Sequence, residues 1–109
     1  MNLLLETIDN LILFGKTPCD VRWVGSCSGI YAMSWDEFAK IANIEYDEGF
    51  GGQEIARDLV VVGDNWWMER HEYDGSENWK FKRIPKKCMN AESFTNVSGG
   101  SWDSLDELN

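Results

Sequence analysis

Leu59-Val60-Val61-Val62-Gly63-Asp64-Asn65-Trp66-Trp67-Met68-Glu69-Arg70-His71-Glu72-Tyr73-Asp74-Gly75-Ser76-Glu77-Asn78-Trp79-Lys80-Phe81-Lys82-Arg83-Ile84 is the stretch that decides the fold. Leu59 to Val62 is a β-branched apolar run, fit for a strand buried on both faces. Gly63-Asp64-Asn65 turns the chain into a second strand, Trp66 to Tyr73. Asp74-Gly75-Ser76 turns it again into a third, Asn78 to Ile84. Connections this short join antiparallel neighbours, so the stretch predicts a meander. Charge and aromatic pairing predict a register for the second hairpin: Tyr73 against Trp79, His71 against Phe81 and Glu69 against Arg83. On the other face Glu72 meets Lys80 and Met68 meets Ile84, with Arg70 against Lys82 as the unfavourable pair. Favourable cross-strand pairs contribute roughly 0.2–1 kcal/mol each.

Upstream of the meander, residues 44–58 carry Tyr46-Asp47-Glu48-Gly49-Phe50-Gly51-Gly52-Gln53-Glu54, whose glycines exclude regular structure and predict an exposed acidic loop. Ser34-Trp35-Asp36-Glu37 is a capping box: Ser34 caps a helix and Glu37 reaches back. Phe38, Ile41 and Ala42 form the buried stripe of that helix, which ends near Asn43. Asp20 to Val24 and Gly29 to Met33 predict two short strands around a Gly25-Ser26-Cys27-Ser28 turn. At the start, Leu3, Leu4, Ile8, Leu11, Ile12 and Phe14 predict an amphipathic helix with Glu6, Asp9 and Asn10 on its outer side, closed by Gly15 and barred by Pro18. Downstream, Ser98-Gly99-Gly100 reads as a hinge, and Ser101 caps a final helix, Trp102 to Leu108, with Trp102, Leu105 and Leu108 on one face. The expectation is a single α+β domain over 1–109: a four- to five-stranded antiparallel sheet packed with two to three helices.

The chain of 109 residues has a net charge of −9 together with six tryptophans. Such an acid excess works against compaction, while the aromatic residues supply apolar area for a core or an interface. The charge is uneven: −5 over residues 1–50, −5 over 51–79, +5 over 80–88 and −4 over 89–109. An acidic balance repels nucleic acid and anionic membranes, and favours a basic protein partner. Lys80, Lys82, Arg83, Lys86 and Lys87 read as edge lysines that pair with nearby acids and discourage aggregation, or as a patch for an anionic ligand. The carboxylates of Glu45, Asp47, Glu48, Glu54, Asp58, Glu72, Asp74 and Glu77 read as a solvated surface, or as a set that converges on one side.

No catalytic signature emerges, and the expectation is a non-enzyme without cofactor. His71 is the single histidine, too few for a zinc site beside cysteines that lack C-x-x-C spacing. Gly49 to Glu54 is not G-x-G-x-x-G, and no Walker lysine follows. Trp66, Trp67 and Trp79 could stack on a sugar or base, but strands favour tryptophan as sheet core. Cys19, Cys27 and Cys88 are odd in number and read as reduced thiols. Met1-Asn2-Leu3-Leu4-Leu5 lacks a basic n-region, and no apolar run approaches a membrane span, so a cytoplasmic protein is expected.

Three stretches, Ser34 to Ala39, Tyr46 to Val62 and Glu69 to Trp79, together with the terminal Trp102 to Asn109, resemble a group of small acidic proteins from phages and other mobile elements of bacteria. Asn78 departs from the pattern, where a bulky residue is expected. The resemblance implies a counter-defence role of the anti-CRISPR kind: a DNA mimic in the host cytoplasm that binds the basic surface of a nucleic-acid-binding effector. Its contact surface would be Glu45, Tyr46, Asp47, Glu48, Phe50, Glu54, Asp58, Glu72, Tyr73, Asp74 and Glu77, with Tyr46, Phe50 and Tyr73 as aromatic anchors. Size and acidity equally fit an immunity protein or antitoxin that neutralises a basic nuclease. An enzyme, the third class, would have only His71, Cys27 and the glycine-rich loop to work with.

Overall fold

A computed structural model of the chain describes residues 1–49, 52–100 and 102–109. Its elements are α1 (Leu3–Leu13), a 3-10 turn at Pro18–Asp20, β1 (Trp23–Ser26), β2 (Ala32–Met33), α2 (Trp35–Ala42), β3 (Leu59–Val62), β4 (Trp66–Tyr73), β5 (Ser76–Arg83) and α3 (Leu105–Leu108). The strands form one five-stranded antiparallel sheet in the order β2-β1-β3-β4-β5. This is an α+β fold.

Register explains the core. Met33, Val24, Val61, Met68 and Phe81 stand opposite one another in a row across all five strands. Against that row pack Leu3 and Leu11 of α1 and Phe38 and Ala42 of α2. The next row, Ala32, Gly25, Val60, Glu69 and Lys80, points to the opposite face. Both middle residues of β3, Val60 and Val61, are buried, as its unbroken apolar run predicts. Gly25 is required inside β1 because a Cβ there would collide with the Tyr31 backbone just before β2. The glycine is therefore a strand residue, and the turn expected at 25–28 moves to Cys27–Tyr31, where Gly29 adopts a φ of 77°.

α2 forms where its cap predicts, with Phe38 and Ala42 buried, but Ile41, expected in the same stripe, is exposed. The Ser34 hydroxyl accepts the Glu37 amide at 3.2 Å, and it donates to the Glu37 carboxylate at 3.2 Å. α1 is rotated relative to its predicted face: Glu6 and Thr7 are buried with Leu3 and Leu11, while Ile12 and Phe14 are exposed. The β4–β5 register also differs, with Tyr73 opposite Ser76, His71 opposite Asn78 and Glu69 opposite Lys80. The cause is a two-residue turn: Asp74 and Gly75 both take positive φ, 52° and 84°, the conformation that Asp-Gly supplies in tight hairpins. The terminal helix is shorter than expected, capped at Ser104 rather than Ser101, and Trp102 lies outside it, fully exposed. Ser101 itself lies outside the described residues. Residues 84–100 are exposed throughout.

Candidate functional site

The period-2 alternation of β4 sends Trp66, Met68 and Arg70 to the helix-covered face. β5 does the same with Glu77 and Trp79. Two charged residues are thereby buried, and the fold answers each charge. The Arg70 guanidinium donates to Glu77 Oε1 at 2.8 Å, to the Tyr46 hydroxyl at 3.0 Å and to Glu6 Oε1 at 3.3 Å. It lies 4.8 Å from the centroid of Trp79 and 5.5 Å from that of Tyr46, close enough for both rings to favour the cation. Its Nε has no hydrogen-bond partner among the described residues. Burial pulls the guanidinium down, but hydrogen bonds to Tyr46 and Glu77 and the Glu6 charge leave its pKa raised. Tyr46 donates its hydroxyl to Glu6 at 2.6 Å, and burial together with that bond pushes the phenol up.

One arginine faces two glutamates, so a second source of positive potential is needed. Backbone amides provide it: Glu54 N–H donates to Glu77 Oε2 at 2.7 Å and Ile55 N–H to Oε1 at 3.3 Å. Glu77 in turn donates its own amide to the Glu48 carbonyl at 2.8 Å. Beside this group, Trp79 Nε1 donates to Thr7 Oγ1 at 3.0 Å, and Thr7 donates to the Leu3 carbonyl at 2.7 Å. The network thus ties α1, β4, β5 and the loop after α2 into one unit.

That stitching fixes where the acidic residues lie. Tyr46 and Glu77, expected on a contact surface, are buried and act as frame. The loop around 45–55 is accordingly not free: Tyr46 and Ile55 anchor it, and Met1 holds it from outside, donating its amino group to the Tyr46 carbonyl at 3.0 Å. Glu45, Asp47, Glu54, Asp58, Glu72, Tyr73 and Asp74 are exposed, and Glu48 is half-buried. Phe50 lies outside the described residues. Glu48 and Glu54 are bonded to Glu77, two residues beyond the β4–β5 turn, so both loops occupy one end of the sheet. Asp58 sits at the same end, before β3. Glu45 pairs with the N-terminal amine at 3.4 Å. Asp47, Glu48, Glu54, Asp58, Glu72 and Asp74 have no cationic partner within ion-pair distance among the described residues.

The other end of the sheet differs in charge. It presents Lys16, Arg22 and Arg83 together with Asp20 and Asp64, and Lys86 and Lys87 follow β5. Arg22 makes a two-pronged contact with Asp64 at 2.6 and 2.9 Å, which raises the arginine and lowers the carboxyl. Glu69 is held low first by the Trp67 indole at 2.9 Å, then by Lys82 at 3.3 Å. The basic segment therefore pairs in part with an acid of the neighbouring strand, the plainer of its two readings.

Trp66 and Trp79 are core, at 4% and 5% exposure, while Trp67 and Trp23 lie half-buried on the uncovered face. His71 is exposed on that face and Cys27 is exposed in the β1–β2 turn. Among the described residues no helix is long and apolar enough to cross a membrane, and no three His, Cys, Asp or Glu side chains group as metal ligands. Comparison with protein-family models, with curated proteins and with solved structures gave no match.

Proposed function

We propose that the chain is a stoichiometric protein inhibitor of the anti-CRISPR-like, DNA-mimicking kind. Its acidic end would occupy a basic nucleic-acid-binding surface of a bacterial defence effector in the host cytoplasm. The observation that carries this reading is the convergence of two acidic loops on one end of the sheet, with Asp47, Glu48, Glu54, Asp58, Glu72 and Asp74 left without a cationic partner among the described residues. Unpaired carboxylates at one end cost self-repulsion, and a cationic partner relieves it. Duplex DNA offers one phosphate charge per about 1.7 Å of axis, so a groove built for it is lined with lysine and arginine that a fixed acidic array can engage. Glu45, Asp47, Glu48, Glu54, Asp58, Glu72 and Asp74 supply the charge, and Tyr73, 77% exposed, supplies an aromatic contact. Tyr46 and Glu77 hold these groups in place from inside.

The test is plasmid interference. In a bacterium whose CRISPR effector eliminates an incoming plasmid, expression of the protein should restore transformation. The purified protein should also displace labelled duplex from that effector, less so as salt rises, because exposed charge pairing is screened over about 10 Å at 0.1 M. Asp47→Lys, Glu48→Lys and Glu72→Lys combined should abolish both effects while the protein stays folded by circular dichroism. Rescue that survives these reversals, or no displacement of duplex at any ratio of protein to effector, would overturn the reading.

A further inference from the structure

An apolar cleft of about 520 Å³ opens between α2, the β1–β2 edge of the sheet and residues 54–59. Its floor is core: Leu3, Val24, Phe38, Ala42 and Ile55, all buried. Its rim is apolar and exposed, with Ile41 at 60%, Ile44 at 47% and Tyr31 at 76%. Water-facing isoleucines around a cleft that reaches the core form an apolar patch of the sort that marks a contact site. The volume falls within the roughly 300–1,000 Å³ of binding pockets.

The polar groups of the cleft select its occupant. Glu54 and Asp58 line it, both exposed and both without a cationic partner, and no lysine or arginine lines it among the described residues. The complement is an apolar side chain that carries positive charge beside it. We infer that the cleft docks a short basic amphipathic segment of the partner protein, its apolar residues in the cleft and its lysines or arginines on Glu54 and Asp58. This deepens the acidic-inhibitor reading and rests on it, since Glu54 and Asp58 belong to that acidic end.

A second copy of this chain is a poor occupant. Its exposed apolar residues Phe94, Trp102 and Leu105 share a segment with Glu92, Asp103, Asp106 and Glu107, which would set carboxylates against Glu54 and Asp58. Its basic segment offers Ile84 and Met89, both exposed, beside Arg83, Lys86 and Lys87, but Pro85 interrupts any helix through Ile84, and Phe81 is engaged with its own Phe14 and Trp66.

The experiment uses the full chain and three synthetic helical peptides: one of leucine and lysine in amphipathic order, one with glutamine for every leucine, and one with glutamine for every lysine. Binding is read by calorimetry and by the methyl resonances of Ile41, Ile44, Ile55 and Leu59. The amphipathic peptide should bind about tenfold more tightly than either control and shift all four methyls. Ile41→Ser with Ile44→Ser should weaken it by about tenfold and leave the lysine-glutamine peptide unaffected. Both isoleucines are exposed, so the fold tolerates the change. If the lysine-glutamine peptide binds equally well, the cleft has no role and the acidic reading stands alone. If the leucine-glutamine peptide binds equally well, the cleft takes a neutral apolar ligand and this inference fails. If neither lysine peptide binds, the acidic reading falls with it. A concentration-dependent dimer abolished by the two serine substitutions would make a second copy the occupant and overturn the inference.

Discussion

Two stretches of this chain read alike in sequence and behave differently in the fold. Residues 45–55 and residues 84–104 are both polar and both punctuated by glycine, and their described residues form no helix or strand. The first is sewn into the protein: Tyr46 and Ile55 are buried, and the Glu54 and Ile55 amides end on a carboxylate in the interior. The second is exposed at every described position. Past Ile84 its bonds stay within the tail itself, such as the Asn109 side-chain oxygen accepting the Thr95 and Asn96 amides at 3.0 and 3.1 Å. Glycine content does not decide whether a segment is ordered by the core. What decides it is whether its backbone amides find a buried acceptor that needs them.

The comparison breaks first at Glu77. Glu77→Ala leaves Arg70 without its closest carboxylate and strips the loop of its acceptor, so stability should fall by about 3–5 kcal/mol in urea unfolding. Amides 54 and 55 should lose hydrogen-exchange protection while the 84–104 amides stay as they were. Unchanged protection at 54 and 55 would mean that the loop is held by something else. Tyr46→Phe is milder, because the ring stays and only the hydroxyl between Glu6 and Arg70 is lost; about 1–3 kcal/mol is expected. Ser34→Ala gives a local yardstick, about 1 kcal/mol for one exposed helix cap, read as a lower thermal midpoint. Removal of residues 90–109 should cost the least, within about 0.5 kcal/mol. A larger loss on that truncation would show the tail to be a structural part and erase the contrast.

Local chemistry carried most of what the sequence made legible. α2 begins where Ser34 and Glu37 place it, and β3 and β4 have the limits that their apolar run and their turns imply. These signals act over a few residues and need no knowledge of the rest. Charge pairing and turn chemistry point to different registers for the hairpin, and Asp74-Gly75 sets the observed one through its tighter loop. The buried network was missed because its partners are remote: Arg70 meets Glu6 across a separation of 64 residues, and Trp79 meets Thr7 across 72. One signal was available. Trp66, Met68 and Arg70 alternate on one strand, so a core-facing Trp66 and Met68 carry Arg70 inward as well, and a buried arginine must have carboxylates. Which carboxylates could not be told from spacing. Spacing alone puts all of these groups at the surface, whereas the fold buries Tyr46 and Glu77 and leaves Glu45, Asp47, Glu54 and Glu72 exposed.

The reach of the Arg70 and Trp79 bonds also sets an order of events during synthesis. α1 is made before the strands, yet Glu6 lacks Arg70 and Thr7 lacks the Trp79 indole until residues 70 to 79 follow. Neighbouring strands β3, β4 and β5 close short loops and come together at little entropic cost. The docking of α1 onto β4 and β5 therefore waits for the meander to be made. Until then, Leu3, Leu11 and the core row of the sheet lie open to a chaperone or to other nascent chains.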